Sequence, residues 1–284
     1  MTPRTDLRNR LDSGEPVFAP VCLDPLAARM TESLGYGACY LSGGGLGYQL
    51  AVSEALLSLT EIATLTRQIT QRSTIPLIVD GGVGFGDPVH TTRVIWELEA
   101  AGAAAIELED QVVPKRASHH KGIEHLISTA DMVEKLEAAV DARRDPDFLI
   151  IARTGAVKNE SFEAAVERGR AYRAAGADMI MLFPSSDDEW QRAPQEIDAP
   201  LAAMGAHGTR SKQEWTDLGW PLVIDPFSGQ VLAFQAMRDA YQHFQEHGTA
   251  QRDNSEVFAV YRELPGFAGM EQLYDIEART TEKI

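Results

Sequence analysis

The chain has 284 residues, of which 44% are apolar and 24% charged, so it is long enough for one large core or two modest domains. Its formal net charge of −16 argues against nucleic acids and anionic membranes as partners, because both would repel it. The N-terminus lacks the apolar region of a signal peptide, and no apolar run approaches the roughly 18 residues of a membrane helix. We therefore expect a soluble, cytoplasmic protein.

Eight short aliphatic runs recur along the chain, and each is predicted to be a buried strand. They do not alternate strictly between apolar and polar residues, which is typical of parallel strands whose two faces are both covered. The runs are 16–24, 38–45, 75–82, 103–110, 147–155, 178–186, 200–205 and 221–229.

Amphipathic stretches of helical length lie between these runs, the clearest at 59–72, 90–102, 161–176 and 230–248. Four strands follow a glycine that suits the end of a helix, in "SLGYG", "EAAGA", "RAAGAD" and "TDLGWP". Eight alternating strand–helix units predict an α/β fold, a closed (β/α)₈ TIM barrel over residues 1–284, with a doubly wound open sheet as the alternative.

The C-terminal tail, residues 249–284, is predicted to be a helical extension rather than a second domain. It should contain one or two helices with a turn at 264–269, where the sequence reads LPGFAG. Helices beyond a complete barrel often serve oligomer contacts, and we expect the same here.

The C-terminal ends of barrel strands are where chemistry is expected. Asp80 and Glu109 fall at the ends of neighbouring strands and can share a hard divalent cation. Arg153 ends the next strand and can bind a carboxylate or phosphate. The turn of Ser42, Gly43 and Gly44 can bring backbone amides close to a substrate oxyanion. Asp24 fits an N-cap as well as it fits a ligand.

The stretch EDQVVPKRASHHKG, residues 109–122, starts at a strand end and carries two cations and two histidines. From the residues alone it is either a catalytic loop or a polar surface turn.

The order and spacing of six segments resemble the isocitrate lyase and phosphoenolpyruvate mutase superfamily over nearly the whole chain. The resemblance implies a (β/α)₈ barrel whose last helix is exchanged between paired subunits of a homotetramer, a dimer of dimers. It implies Mg²⁺, with Mn²⁺ as an alternative, a 2-oxo or 2-hydroxy acid substrate and an enolate-like intermediate. The segments are LDPLAARMTESLGYGACYLSGGG, PLIVDGGVGFGD, ELEDQVVPKRASHHKG, DPDFLIIARTGAV, AYRAAGADMIML and LGWPLVIDPFSG.

The resemblance assigns roles to several rim residues. Asp80 matches the first Asp of the family's D-x-D-x-G-[YF]-G motif, a direct metal ligand, and Glu109 matches a residue of the metal shell. An Asp expected after the second strand falls on Ser53 or Glu54, of which Glu54 keeps the charge. Arg153 matches the substrate-binding arginine. Two other family aspartates are glycines here, Gly82 and Gly155.

Residues 112–122 match the family's mobile lid, which reads K-[KR]-C-G-H in the lyases. Lys115, Arg116 and His119 match that motif, but the catalytic cysteine is replaced by Ala117. The general acid is therefore expected to be Ser118, His119, His120 or a bound water, with a histidine favoured because imidazole titrates near neutral pH. Lys115 is also expected to be catalytic, because the closing loop brings it over the site.

The predicted function is a Mg²⁺-dependent carbon–carbon lyase whose small carboxylic-acid substrate has a small or apolar distal group. Where isocitrate-type lyases bind a far carboxylate, this chain has Phe183–Pro184 and Ala202–Met204. Burying a carboxylate there without partners would cost several kcal/mol. The alternatives are a phosphonate mutase or hydrolase, a 2-oxo acid decarboxylase, or an inactive ligand-binding barrel.

Overall fold

The computed structural model describes residues 1–282, and these contain eight parallel strands arranged as a barrel, which confirms the predicted fold class. Each predicted aliphatic run contains one strand. The strands are β1 Val17–Pro20, β2 Cys39–Leu41, β3 Leu77–Asp80, β4 Ala105–Glu109, β5 Leu149–Arg153, β6 Met179–Met181, β7 Leu201–Met204 and β8 Leu222–Asp225.

The strands are hydrogen-bonded in the order β1-β8-β7-β6-β5-β4-β3-β2. The seam between β1 and β2 is joined by one parallel bridge, between Val21 and Tyr40. A closed order of this kind excludes the doubly wound open sheet.

Thirteen α-helices in residues 1–282 surround and extend the barrel, and they include all four predicted from amphipathic stretches. Two short 3₁₀ turns, Glu54–Leu56 and Ala117–Lys121, lie in the loops after β2 and β4. The helices are α1 Pro3–Leu11, α2 Pro25–Ser33, α3 Gly43–Gln49, α4 Leu59–Thr70, α5 Pro88–Ala100, α6 Thr129–Ala142, α7 Ala156–Asn159, α8 Phe162–Ala174, α9 Asp187–Glu196, α10 Lys212–Leu218, α11 Ser228–His247, α12 Asn254–Ala268 and α13 Met270–Thr280.

The predicted glycine stops fall at helix ends. Gly35, Gly102, Gly176 and Gly219 all have φ between 74° and 98°, the left-handed conformation that ends a helix and turns the chain into the next strand. These glycines set the lengths of the loops that feed the strands.

The barrel interior is apolar below its mouth and is closed at its base. Inward side chains such as Ile78, Leu149 and Met181 form one buried cluster, and the fully buried Leu7 of α1 joins it from below. Arg4 fixes α1 there by donating a hydrogen bond of 2.9 Å to the Ala103 carbonyl. The open end of the barrel is therefore the C-terminal end of the strands.

The tail beyond β8 forms α11, α12 and α13, and none of their residues is buried. The prediction of one or two helices after residue 249 is confirmed, but the predicted turn at 264–269 was too long. α12 continues to Ala268, and Gly269 alone, with φ 74°, separates it from α13. Pro265 lies in the last turn of α12, where its missing N–H costs the helix one hydrogen bond.

An open groove of about 530 Å³ lies on the outer wall of the barrel, against β1 and β8. Its lining includes Phe18, Tyr36, Trp215 and Val223. A barrel of this type usually covers each pair of strands with a helix, whereas α11 leaves this wall exposed. Within residues 1–282, no helix is both long and apolar enough to span a membrane.

Candidate active site

Asp80, Glu109 and Arg153 end three successive strands, so the barrel brings them together at its mouth, as predicted. Glu109 and Arg153 pair in register between β4 and β5, and Arg153 Nη2 lies 3.5 Å from Glu109 Oε2. Asp80 is 7% exposed and Glu109 1% exposed. Two carboxylates are thus held in a largely water-free place beside one guanidinium.

Asp80 is fixed by the backbone around it. Its Oδ2 accepts a hydrogen bond of 3.0 Å from the Gly43 amide, and its Oδ1 accepts one of 2.9 Å from the Gly82 amide. Burial raises the pKa of Asp80, and the negative charges of Glu54 and Glu109 raise it further. A cation bound here would relieve both effects.

The turn after β2 offers fewer free amides than its glycines suggest. The Gly43 amide is engaged by Asp80, and the Gly45 amide donates to the Ser42 hydroxyl at 3.0 Å, which caps α3. The Gly44 amide has no acceptor within residues 1–282. Of the predicted oxyanion-binding group, Gly44 is therefore the residue whose amide remains free for a ligand.

Glu107 was missed by the sequence reading, although it lies in the middle of β4 and directly under the site. Its Oε1 accepts a hydrogen bond of 2.9 Å from Arg153, and its Oε2 accepts one of 2.8 Å from the Tyr40 hydroxyl. Burial raises the pKa of Glu107 to about 7, although the Arg153 guanidinium opposes the shift. The available signal was the two-residue spacing from Glu109, which puts both side chains on one face of the strand.

The loop after β4 folds over the mouth and places a lysine among the carboxylates. Lys115 Nζ lies 2.5 Å from Glu109 Oε1 and also contacts Glu54 Oε1. Burial lowers the pKa of Lys115, but Glu109, Glu54 and Asp80 together raise it above its usual value. Lys115 is therefore a firmly held cation within the site.

His119 fastens the same loop to Glu54. Its Nε2 lies 2.9 Å from Glu54 Oε1, and its Nδ1 donates to the Arg116 carbonyl at 2.7 Å. Burial lowers the pKa of His119, but the Glu54 carboxylate outweighs this and raises it. Because both ring nitrogens are engaged, His119 holds the loop in place in this conformation and is not free to act as an acid or base.

The two other predicted lid residues lie farther from the carboxylates. His120 Nε2 lies 3.1 Å from the Ser53 hydroxyl, so it docks the loop on the segment after α3. Burial and the neighbouring charge of His119 lower the pKa of His120. The Ser118 side chain makes no hydrogen bond with any part of residues 1–282.

Two rim aspartates turn out to be structural. Asp24 Oδ1 accepts a hydrogen bond of 2.7 Å from the Ala27 amide, so it is the N-cap of α2. Asp110 accepts from Thr154 Oγ1 at 2.7 Å and from the Tyr172 hydroxyl at 2.8 Å. Those contacts draw Asp110 away from the mouth and into the layer between strands and helices.

Asp80 and Glu109 fit a magnesium ion that completes its shell with water and substrate oxygens. Glu109 Oε1 is buried and receives no hydrogen bond, with the Lys115 ammonium as its near cation. Glu54 faces the lysine, and in residues 1–282 no three His, Cys, Asp or Glu side chains are arranged to hold an ion by themselves. The three-residue metal set that includes Glu54 is therefore not assembled in this conformation.

The far side of the mouth, at the ends of β6 and β7, is apolar. Phe183 and Met204 pack on the barrel interior, and the Arg153 guanidinium lies 4.9 Å from the centre of the Phe183 ring. Neither side chain can donate a hydrogen bond to a carboxylate of a ligand or form an ion pair with it.

Two buried carboxylates, an arginine and a lysine-bearing loop thus lie at the C-terminal mouth of a (β/α)₈ barrel, which is where enzymes of this fold carry their active sites. A family model described as phosphoenolpyruvate phosphomutase matches residues 7–245, so the chain belongs to this family of the isocitrate lyase and phosphoenolpyruvate mutase superfamily.

The chain is 37% identical to 2-methylisocitrate lyase of Aeropyrum pernix, covering 99% of this chain and 91% of that protein. It is 33% identical to 2,3-dimethylmalate lyase of Eubacterium barkeri, covering 98% of each chain. These names confirm the predicted class of enzyme, a carbon–carbon lyase. Among solved structures, phosphonopyruvate hydrolase in complex with oxalate and Mg²⁺ aligns with a TM-score of 0.88 and 31% identity, covering 99% of this chain and 100% of that one.

Proposed function

We propose that the protein is a Mg²⁺-dependent carbon–carbon lyase acting on a 2-hydroxy or 2-oxo acid with a small or apolar distal group. The observation that carries this proposal is the meeting of Asp80, Glu109, Arg153 and Lys115 at one mouth of the barrel. Carboxylates for a metal, a guanidinium for a substrate carboxylate and a closing cation are what such a reaction requires.

Asp80 and Glu109 would hold the metal, which when bound supplies Lewis-acid polarisation of the substrate oxygen next to the carboxylate. Arg153 binds the substrate carboxylate through its planar guanidinium. The free amide of Gly44 stabilises negative charge on the adjacent oxygen. Lys115 closes over the ligand and excludes water.

In the cleavage of a 2-hydroxy acid, the hydroxyl proton passes to a base at the mouth, with His120 or a bound water as the candidates, and the oxygen becomes a carbonyl as the neighbouring carbon–carbon bond breaks. The electron pair of that bond remains on the departing carbon as an enolate-like species, which then takes up a proton. Because Ala117 replaces the lyase cysteine, this proton must come from another group. Lys115 is the cation closest to the site carboxylates, and it is our candidate donor, with His119, His120, Ser118 or water as the alternatives.

The apolar far side favours substrates without a third carboxylate. Phe183 and Met204 offer no partner for a charge, so a buried carboxylate there would lose several kcal/mol of hydration without compensation. Of the substrates named for the two lyase relatives, 2,3-dimethylmalate fits this surface better than 2-methylisocitrate.

The test is to supply both acids to the purified protein with Mg²⁺ and to measure release of a 2-oxo acid, with and without a chelator. We expect turnover of 2,3-dimethylmalate that the chelator abolishes, and a kcat/KM lower by about tenfold or more for 2-methylisocitrate. A preference for 2-methylisocitrate would refute the proposed substrate class.

The same assay separates the alternative functions. Turnover of phosphonopyruvate or oxaloacetate instead of a hydroxy acid would identify a hydrolase, mutase or decarboxylase. Absence of Mg²⁺ binding in calorimetry, even with oxalate present, would favour an inactive ligand-binding barrel.

We also propose that the protein is a homo-oligomer, a dimer of dimers, in which α11 of one subunit covers the open groove on another. The groove against β1 and β8 is where a helix after β8 would pack, and α11 has no buried residue of its own. Residues 1–284 would then form a single barrel domain, in which 249–284 is a helical extension that adds oligomer contacts. The acidic charge and the two free cysteines, Cys22 and Cys39, support a cytoplasmic location.

A further inference from the structure

Glu107 is a buried carboxylate on the floor of the candidate active site, and the roles proposed above leave it unused. It lies two residues before Glu109 on β4 and is 1% exposed. In the register of the sheet it stands beside Asp80 on one side and Ile151 on the other. Because Ile151 belongs to the apolar interior, Glu107 marks the boundary between that interior and the polar mouth.

Both oxygens of Glu107 have a hydrogen-bond donor. Arg153 Nη1 donates to Oε1 at 2.9 Å, and the fully buried Tyr40 hydroxyl donates to Oε2 at 2.8 Å. A carboxylate held at both oxygens cannot rotate without breaking one of these bonds, so its position is fixed from β2 and from β5.

Arg153 is held in turn on three sides. Besides the bond to Glu107, its Nη2 lies 3.5 Å from Glu109 and its guanidinium lies over the Phe183 ring at 4.9 Å. Of its five N–H groups, only one makes a hydrogen bond within residues 1–282, and the side chain keeps 16% exposure. Glu107 thus orients the guanidinium from the barrel interior, and the other N–H groups remain available to a ligand.

A purely structural role explains this pair poorly. A buried ion pair is often no more stabilising than apolar side chains of similar size, and the layer just below Glu107 is filled with such side chains. Orientation of a functional group is what the charged pair adds.

We propose that Glu107 is a positioning residue, which orients Arg153 toward the substrate carboxylate and is itself held in place by Tyr40. The inference rests on the proposed function, since it requires that Arg153 bind that carboxylate.

The test measures oxalate binding by calorimetry in the presence of Mg²⁺. We expect Glu107→Leu to weaken the oxalate Kd by about tenfold, because the arginine loses the hydrogen-bond acceptor that orients it. Glu107→Gln keeps a hydrogen-bond acceptor and should stay within about threefold of wild type. Equal losses in both variants would show that charge rather than orientation matters, and the proposal would be wrong.

Glu99→Gln is the matched control. Glu99 is also buried, but it accepts backbone amides of Arg144 and Asp145 at the closed end of the barrel, so oxalate affinity should not change. If Glu107→Leu does not fold, Tyr40→Phe decides the matter. It removes one hydroxyl and should weaken oxalate by about threefold, whereas unchanged affinity would overturn the proposal.

A double-mutant cycle shows whether Glu107 acts through Arg153. In an Arg153→Met background, Glu107→Leu should have no further effect on oxalate binding, because the group that it orients is gone. The same factor in both backgrounds would exclude a positioning role. If the wild-type protein does not bind oxalate with Mg²⁺, the proposed function fails and this inference with it. Normal binding by Glu107→Leu would refute the inference alone.

Discussion

Lys115 Nζ and Glu109 Oε1 lie 2.5 Å apart, so a cation of the lid is bound by the carboxylate that ends β4. The carboxylate proposed to bind the metal and the loop after β4 are therefore in direct contact, and the Lys115 ammonium would compete with a metal ion for Glu109. The effect of the Lys115 charge on metal affinity can therefore be measured separately from its effect on the reaction rate.

Replacing Lys115 by Met should tighten Mg²⁺ binding by about tenfold in calorimetry, because the ion pair no longer has to break before the metal binds. The kcat should fall by about a hundredfold, since the candidate proton donor is lost. Arg116→Met is the control, because Arg116 is exposed and, within residues 1–282, its guanidinium donates a hydrogen bond only to the Pro114 carbonyl of its own loop. Unchanged metal affinity in Lys115→Met would show that lysine and metal do not compete.

Asp80→Asn should abolish measurable Mg²⁺ binding and lower kcat by about a hundredfold to a thousandfold. Asn keeps one acceptor oxygen and replaces the other by an NH₂ donor, so either the Gly43 or the Gly82 amide loses its acceptor, and the free energy of unfolding should also fall by about 1 kcal/mol. Asp24→Asn changes a strand-end aspartate that caps a helix, and it should leave the activity intact. Full activity in Asp80→Asn would remove Asp80 from the metal site.

His119→Gln should lower kcat by about tenfold or more, because the lid loses its contact with Glu54. If His119 holds the loop in place, trypsin should cleave after Arg116 faster in the metal-free variant than in the metal-free wild type. His125→Gln changes an exposed histidine of the same loop and should alter neither measurement. A slower rate with unchanged proteolysis would point to a chemical role instead.

Phe234→Asp should shift the protein to smaller species in light scattering coupled to gel filtration. Phe234, Met237, Tyr241 and Phe244 form an exposed apolar stripe along α11 at helical spacing, and a carboxylate in that stripe would be buried in the proposed interface. Gln235→Asp introduces the same charge one position away and should keep the wild-type mass. A monomeric wild-type protein would rule out the exchange.

Arg4 should give the protein part of its stability above the ordinary pKa of aspartate. The Arg4 guanidinium, 2.8 Å from Asp145, and the Asp147 amide lower the pKa of Asp145. A lowered folded-state pKa means that this stabilisation is present above pH 3.8 and is lost as the pH falls through the folded-state value.

In urea unfolding, Arg4→Gln should therefore lose more stability at pH 7 than at pH 3, with a difference of about 0.5 kcal/mol because Asp145 is partly exposed. Arg67→Gln, at an exposed position of α4 where the guanidinium makes no ion pair within residues 1–282, should show no comparable change with pH. An Arg4→Gln deficit that is equal at both pH values would exclude a contribution from the ion pair.

The sequence was sufficient for the fold because its signals are local. Each aliphatic run predicts its own strand, and each glycine stop its own helix end, so the eight units could be counted without knowing any contact. The position of Asp80, Glu109 and Arg153 at one mouth could be predicted from the same count, because the C-terminal ends of all barrel strands lie at that mouth.

The contacts of Lys115 and His119 with Glu54 could not be predicted in the same way. These contacts join residues that are about sixty positions apart in the sequence, and they depend on the conformation of a loop. A periodic pattern of apolar residues carries no information about that conformation. Glu107 could have been found, because its alternation with Glu109 places it on the inward face.

Leu7 closes the base of the barrel, so a ligand can reach the site only from the mouth. With the interior filled below Glu107, substrate enters and both fragments leave through the same opening, under the lid. If Asp80, Glu109 and Arg153 hold one fragment at the floor of the mouth, as proposed, that fragment should depart last. It should then inhibit competitively against the substrate, and the opening of residues 112–122 would set an upper limit on the turnover rate.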